Sequence, residues 1–149
     1  MNVDHLMGAL EARAHGGLLA APLDREQWLK LQPFLQVRFL RAGDPLIRQG
    51  ESEREVYFLA EGELEVSART HVLATLDVGS VVGEGTFFSG ATRSATVTPT
   101  RTGVAWCLTL DKFEAVAARH PDVAVALLLW LGNILAKRMH TALLAGEFT

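Results

Sequence analysis

Between Val37 and Leu108 the chain is a series of short strand-like runs broken by turn residues. Short runs rich in β-branched and aromatic residues (VYFLAEGELEVS, THVLATLDVGS, RSATVTP, TGVAWCLT) are separated by turn formers at Gly43-Asp44-Pro45, Gly50, Gly62, Asp77 to Gly79 and Pro99. Val37, Phe39 and Arg41 alternate with Arg38 and Leu40, the period of a strand. Strands this short bury little alone, so many of them with glycine turns predict a β-sandwich or jelly-roll barrel of about eight strands over residues 37–108. LIRQGE reads as one of these strands, and Glu61-Gly62-Glu63 between two β-rich runs reads as a tight hairpin.

Helical signals flank the β region. Residues 3–15 carry a weak helical pattern that stops at Gly16-Gly17. Asp24 with Gln27 three residues on forms a capping box for a short helix through Trp28, Leu29 and Leu31, ending before Pro33. Asp111 and Glu114 (DKFE) predict a second capping box and a helix to about His120. Pro121 suits the first position of a long helix to about Leu144. That helix is apolar on two faces, one with Leu128, Leu131, Leu135 and Met139, the other with Leu127, Trp130 and Ile134. Such a helix buries one face in its own domain and offers the other to a partner. The expected class is mainly β with flanking helices (α+β), with residues 1–22 an N-terminal helical extension and 145–149 a tail.

A chain of 149 residues with 49 % hydrophobic and 21 % charged content suits one globular domain. Net charge −3 gives no basic field for nucleic acid. The single cysteine, Cys107, lies in the apolar run GVAWCLTL and reads as a small core residue. It supports no disulfide framework and suits a cytoplasmic protein. The opening residues lack a signal-peptide core. Val123 to Leu135 is shorter than the roughly 20 apolar residues of a membrane span. The five histidines show no paired ligand spacing, and no nucleophile–base set stands out, so neither a metal, a cofactor nor an enzyme is expected. Trp28, Trp106 and Trp130 read as core or interface residues.

The stretch VVGEGTFFSGATRSATV, Val81 to Val97, stands apart. Its glycines allow close backbone approach to a ligand. Thr86 to Ser89 can form one helical turn. Arg93 can fork onto phosphate oxygens and Ser94 can add a hydroxyl. Glu84, acceptor-only when ionised, suits a sugar hydroxyl. Together these ask for a phosphate beside a ribose hydroxyl. An intraloop Glu84–Arg93 ion pair near the surface explains the same two residues equally well.

The chain resembles the cyclic-nucleotide-binding domain family, which includes catabolite activators, regulatory subunits of cyclic-AMP-dependent kinase and cyclic-nucleotide-gated channels. Gly83-Glu84 and Arg93-Ser94-Ala95 match its phosphate-binding cassette, and FLRAGDPLIRQGE, VYFLAEGELEV and DKFEAVAARHPDVAVALL match its frame. The resemblance implies a domain over 23–144, with C-terminal helices over 111–144. It implies that Glu84 accepts from the ribose 2′-hydroxyl and Arg93 pairs with the cyclic phosphate. Ser94 and the amides of Thr86 and Ala95 complete the cradle, with Gly83 and Gly85 in the cassette. Leu131, Ile134, Leu135 and Arg138 are candidates to face the base. By the family's habit, Ser94 in place of Thr implies a mild preference for cyclic AMP over cyclic GMP. Gly85, Thr86 and Thr92 depart from the family's commoner residues.

These features imply a stand-alone sensor of a cyclic nucleoside monophosphate, signalling through the 121–144 helix to a homodimer mate or partner protein. The sequence closes at LLAGEFT, which leaves no expected DNA-binding module. The rival expectation is a ligand-free interaction or dimerisation module on the same barrel.

Overall fold

Two antiparallel sheets face each other, and helices cover the outer face of one. The computed structural model describes residues 3–14 and 23–144. The expected stop at Gly16-Gly17, the rest of the 1–22 boundary and the 145–149 tail lie outside these residues. Among the described residues there are seven strands: β1 (Gln36–Leu40), β2 (Glu55–Glu61), β3 (Leu64–Ala68), β4 (His71–Leu76), β5 (Val81–Val82), β6 (Thr96–Pro99) and β7 (Gly103–Thr109). One sheet has the order β1-β7-β2-β5 and the other β4-β3-β6. The LIRQGE run forms no full strand. It contributes a single bridge, Ile47 to Val97.

Among the described residues five α-helices complete the fold, α1 (Val3–Ala14), α2 (Arg25–Leu31), α3 (Glu84–Ser89), α4 (Leu110–Arg119) and α5 (Pro121–Leu144), with one 3-10 turn over Gln32–Phe34. The Asp24 box forms as the sequence predicts, with Gln27 N–H donating to Asp24 and Asp24 N–H to the Gln27 side chain. The second cap differs. Thr109, not Asp111, caps α4 by accepting from Lys112 N–H at 3.2 Å, so the helix starts at Leu110 directly out of β7. Asp111 sits in the first turn, where a carboxylate complements the helix dipole.

Glu61-Gly62-Glu63 does not join a hairpin, because β2 and β3 belong to different sheets. The chain crosses between sheets there. A bulge at Ala60 breaks the β2–β7 register between Leu59 and Glu61 and turns the strand away. Gly62 has φ +103, and a Cβ on it would lie 3.1 Å from Gly103 Cα. The close approach of these two glycines makes the corner possible. The true hairpin is β3–β4, turned at Arg69-Thr70, with Arg69 at φ 58.

Strand β2 separates two cores. Val56, Phe58 and Ala60 face the helices, where they meet Trp106, Trp28, Leu127 and Leu131. Tyr57 and Leu59 point between the sheets toward Leu64, Val97, Ala105 and Cys107. Burial on both faces is why β2 reads as a continuous apolar run.

Helix α5 docks through Val123, Ala124, Leu127, Trp130 and Leu131, all buried. Trp130 stacks on Phe58 at 5.5 Å and meets Trp28 edge-on at 6.3 Å. Aromatic pairs of this kind contribute about 0.5–1.5 kcal/mol each beyond their buried area. Leu131 therefore belongs to the inner face and not with Leu128 and Met139, which are exposed. The long helix is continuous for 24 residues, long and apolar enough by composition to cross a membrane. Its first half is instead a core helix, packed on the barrel through the five residues above.

Candidate functional site

Helix α3 is the wall of the site, and its six residues hold no stable helix unaided. Gly83 begins it with φ +90; a Cβ there would lie 2.7 Å from both Arg93 Nη1 and the Glu55 carbonyl oxygen. Glycine is thus required at that position by dihedral and by space. Phe87 anchors α3 in the core, buried and edge-on to Phe113 of α4 at 5.8 Å. Gly90, at φ +73, ends it.

Beside α3 lies a cavity of about 650 Å³, within the range that holds small ligands. The cassette residues Gly83, Glu84, Gly85, Thr86, Arg93, Ser94 and Ala95 all line it. So do Leu135 and Arg138 from α5, whereas Leu131 and Ile134 do not. Helical phase decides this: Leu131 is turned into the core. Sequence reasoning missed the apolar floor, Ile47, Val66, Ala74, Leu76, Val82 and Val97. These come from both sheets and the Ile47 bridge, and only strand pairing brings them together.

Glu84 and Arg93 are both buried, 5 % and 7 % exposed, yet they do not pair with each other. Glu84 accepts a charge-assisted bond from Arg138 Nη1, while Arg138 Nη2 donates to the Val81 carbonyl at 2.6 Å. Arg93 donates from Nη1 to Gly83 O at 2.8 Å, and from Nη2 to Glu53 O at 2.8 Å and Glu55 O at 2.7 Å. The intraloop ion pair is therefore not formed. Of the five N–H donors of a guanidinium, these bonds engage three and leave two. Among the described residues no carboxylate forms an ion pair with Arg93. Burial pushes its pKa down from the ordinary guanidinium value, while Tyr57, Glu55, Glu53 and Glu84 oppose that shift.

A family model for the cyclic nucleotide-binding domain matches residues 37–120, more than half of the chain. Among curated proteins, the cGMP-dependent protein kinase egl-4 of Caenorhabditis elegans is 31 % identical over 97 residues, covering 65 % of this chain and 12 % of the kinase. The chain thus spans a small part of that relative. A cyclic nucleotide-binding domain from Methylobacillus flagellatus superposes with a TM-score of 0.80 over 95 % of this chain and 82 % of its own, at 18 % identity, a likeness of fold. The catabolite activator protein of Thermus thermophilus gives 0.71 at 26 % identity, over 90 % of this chain and 61 % of that one. The seven-stranded sandwich, the cassette wall and the matched frame make this chain a member of the cyclic nucleotide-binding domain family.

Proposed function

We propose that the chain is a regulatory domain, not a catalyst, that binds a cyclic nucleoside monophosphate, cyclic AMP before cyclic GMP, in the cassette cavity. The observation that carries this reading is Arg93: a buried cation lining the cavity, bonded only to neutral carbonyls, with two donors to spare. Glu84 and Arg138 already balance each other. Among the residues that line the cavity, Arg93 is therefore the cation without an ion-pair partner. A cyclic phosphodiester carries one negative charge, whereas a linear monophosphate carries close to two. Glu84 supplies the acceptor for the ribose 2′-hydroxyl, and Ser94, Thr86 and Ala95 frame the phosphate. Leu135 and Arg138 lie where α5 meets the cavity, so a ligand there bears on the helix directly.

The signal leaves through α5. Val125, Leu129, Gly132, Ala136, Met139 and Leu143 recur at alternating spacings of four and three along its outer side, a heptad seam suited to a second copy of the helix. Leu129 is 71 % exposed on that seam. Leu129→Arg is expected to leave a monomer in sedimentation. A cytoplasmic setting fits a lone buried thiol.

Calorimetric titration with cyclic AMP, cyclic GMP and linear 5′-AMP tests the ligand reading, with Arg93→Ala as control. Heat is expected with the cyclic nucleotides, strongest with cyclic AMP, and none with 5′-AMP or the variant. A ligand at 100 times its Kd also adds about 2.7 kcal/mol to stability. Neither heat nor a melting shift with the cyclic nucleotides would remove this reading. The engagement of both Glu84 and Arg93 within the chain favours, in that case, a ligand-free interaction module on the barrel.

A further inference from the structure

We propose that Arg54 is a positioning residue that preforms the cassette helix for its ligand, an inference that rests on the nucleotide reading above. Helix α3 contains a glycine, Gly85, and only six residues, so its own hydrogen bonds do not sustain it. Its C-terminal carbonyls have specific partners. Thr86 O accepts from Gly90 N–H at 2.8 Å and Gly85 O from the Ser89 hydroxyl at 2.9 Å. Phe87 O and Phe88 O accept from Arg54, from Nε at 3.0 Å and from Nη2 at 2.6 Å. Without Arg54 these two carbonyls have no protein partner among the described residues. A guanidinium at a helix C-terminus also meets the negative end of the dipole.

The anchor is itself held. Arg54 lies just before β2, and its own carbonyl accepts from Leu110 N–H at 3.0 Å, where β7 passes into α4. Its neighbours Glu53 and Glu55 give their carbonyls to Arg93. Residues 53–55 thus fix both ends of the cassette, Arg93 and Gly83 at the start of α3 and the Phe87-Phe88 carbonyls at its end. The geometry makes α3 present before the ligand arrives, so ligand binding does not have to order it.

Two variants and two readouts test this in the intact chain. Arg54→Met keeps the unbranched apolar stem and removes the donors and the charge; Arg54→Lys keeps the charge on a single ammonium in place of the fork. In ligand-free Arg54→Met, hydrogen exchange at the Phe87 to Gly90 amides is expected to quicken about tenfold, while β2 and β7 amides keep their rates. The Kd for cyclic AMP is expected to weaken about tenfold, with Arg54→Lys between the two. Gly85→Ala, which favours the helix by propensity, is expected to recover part of the lost affinity in the Arg54→Met background. Unchanged α3 exchange overturns the proposal, as does an unchanged Kd despite faster exchange. Equal quickening at β2, β7 and α3 would make Arg54 a general stabiliser and overturn it too; should Arg54→Met not fold, Arg54→Lys is judged by the same criteria. If the unmutated chain binds no cyclic nucleotide, the nucleotide reading fails, and the exchange arm separately decides whether Arg54 holds α3.

Discussion

Arg138 of α5 is bonded to Glu84, the first residue of α3. This ion pair ties the outer half of the long helix to the cassette, beyond the point where Trp130 and Leu131 stop packing in the core. Glu84 is almost fully buried and Arg138 is 44 % exposed, so water already solvates one partner. Discounted for that exposure, the pair is worth about 1 kcal/mol. Arg138→Gln is expected to lower the melting point by a few degrees, as a change of that size does in a domain of this length. Amide exchange should quicken after Leu131 and hardly change before it. Uniform quickening along α5 would show that Arg138 is not a local latch.

Gly83 and Gly85 sit two residues apart in the cassette and should respond oppositely to alanine. At Gly83 the backbone is left-handed and the new Cβ would meet Arg93 Nη1 and Glu55 O at 2.7 Å. A loss of about 1–3 kcal/mol is expected, together with loss of ligand binding as Arg93 is displaced. At Gly85 the backbone is helical and nothing lies within 4 Å of the added Cβ. A gain of up to about 1 kcal/mol is expected. Urea titrations of the two variants check the pair, and a common sign would contradict the geometry.

Gly103→Ala tests the corner between the sheets. Its Cβ would lie 2.2 Å from the Glu61 carbonyl oxygen and 3.0 Å from Gly62 Cα, both backbone atoms that have no flexible end to move aside. Overpacking against backbone costs about 3 kcal/mol or more. The variant is expected to fold poorly, with its near-ultraviolet circular dichroism lost. A folded Gly103→Ala with ordinary stability would mean that the β2–β3 crossing is set elsewhere.

What could be read from the sequence follows the distance between cause and effect along the chain. Strand β7 and the Asp24 box were legible because both rest on neighbouring residues. The Glu61-Gly62-Glu63 corner was misread because its local chemistry is that of a hairpin, while the contact that opens it, with Gly103, comes from a strand far along the chain. Asp111 and Glu114 have the spacing of a capping box, yet Thr109 at the end of β7 takes the cap, since the strand delivers it to the helix start. In the site, Glu84 and Arg93 stood out as charges among glycines. Their actual partners did not: carbonyls have no sequence signature, and Arg138 lies 54 residues from Glu84. The apolar floor and Arg54 were hidden for the same reason.

Cys107 gives the chain a predictable alkaline limit. It is fully buried between the sheets, and burial pushes its thiol up from the ordinary 9.0 to about 11, with Glu55 adding to the rise. Burial also raises the Tyr57 hydroxyl, and its bond to Glu55 raises it further. In the unfolded chain both groups ionise at ordinary values, so above pH 9 or so the unfolded state holds fewer protons than the folded one. Stability then falls as pH rises. The contribution from Cys107 is complete below about pH 9 and is lost as pH climbs to about 11. Urea midpoints are expected to be flat up to that window and to drop through it, with a shallower drop in Cys107→Ala. At pH 8 the thiol should react with iodoacetamide only as fast as the domain opens. Rapid labelling of the folded protein at pH 8 would place Cys107 in water and sink the prediction.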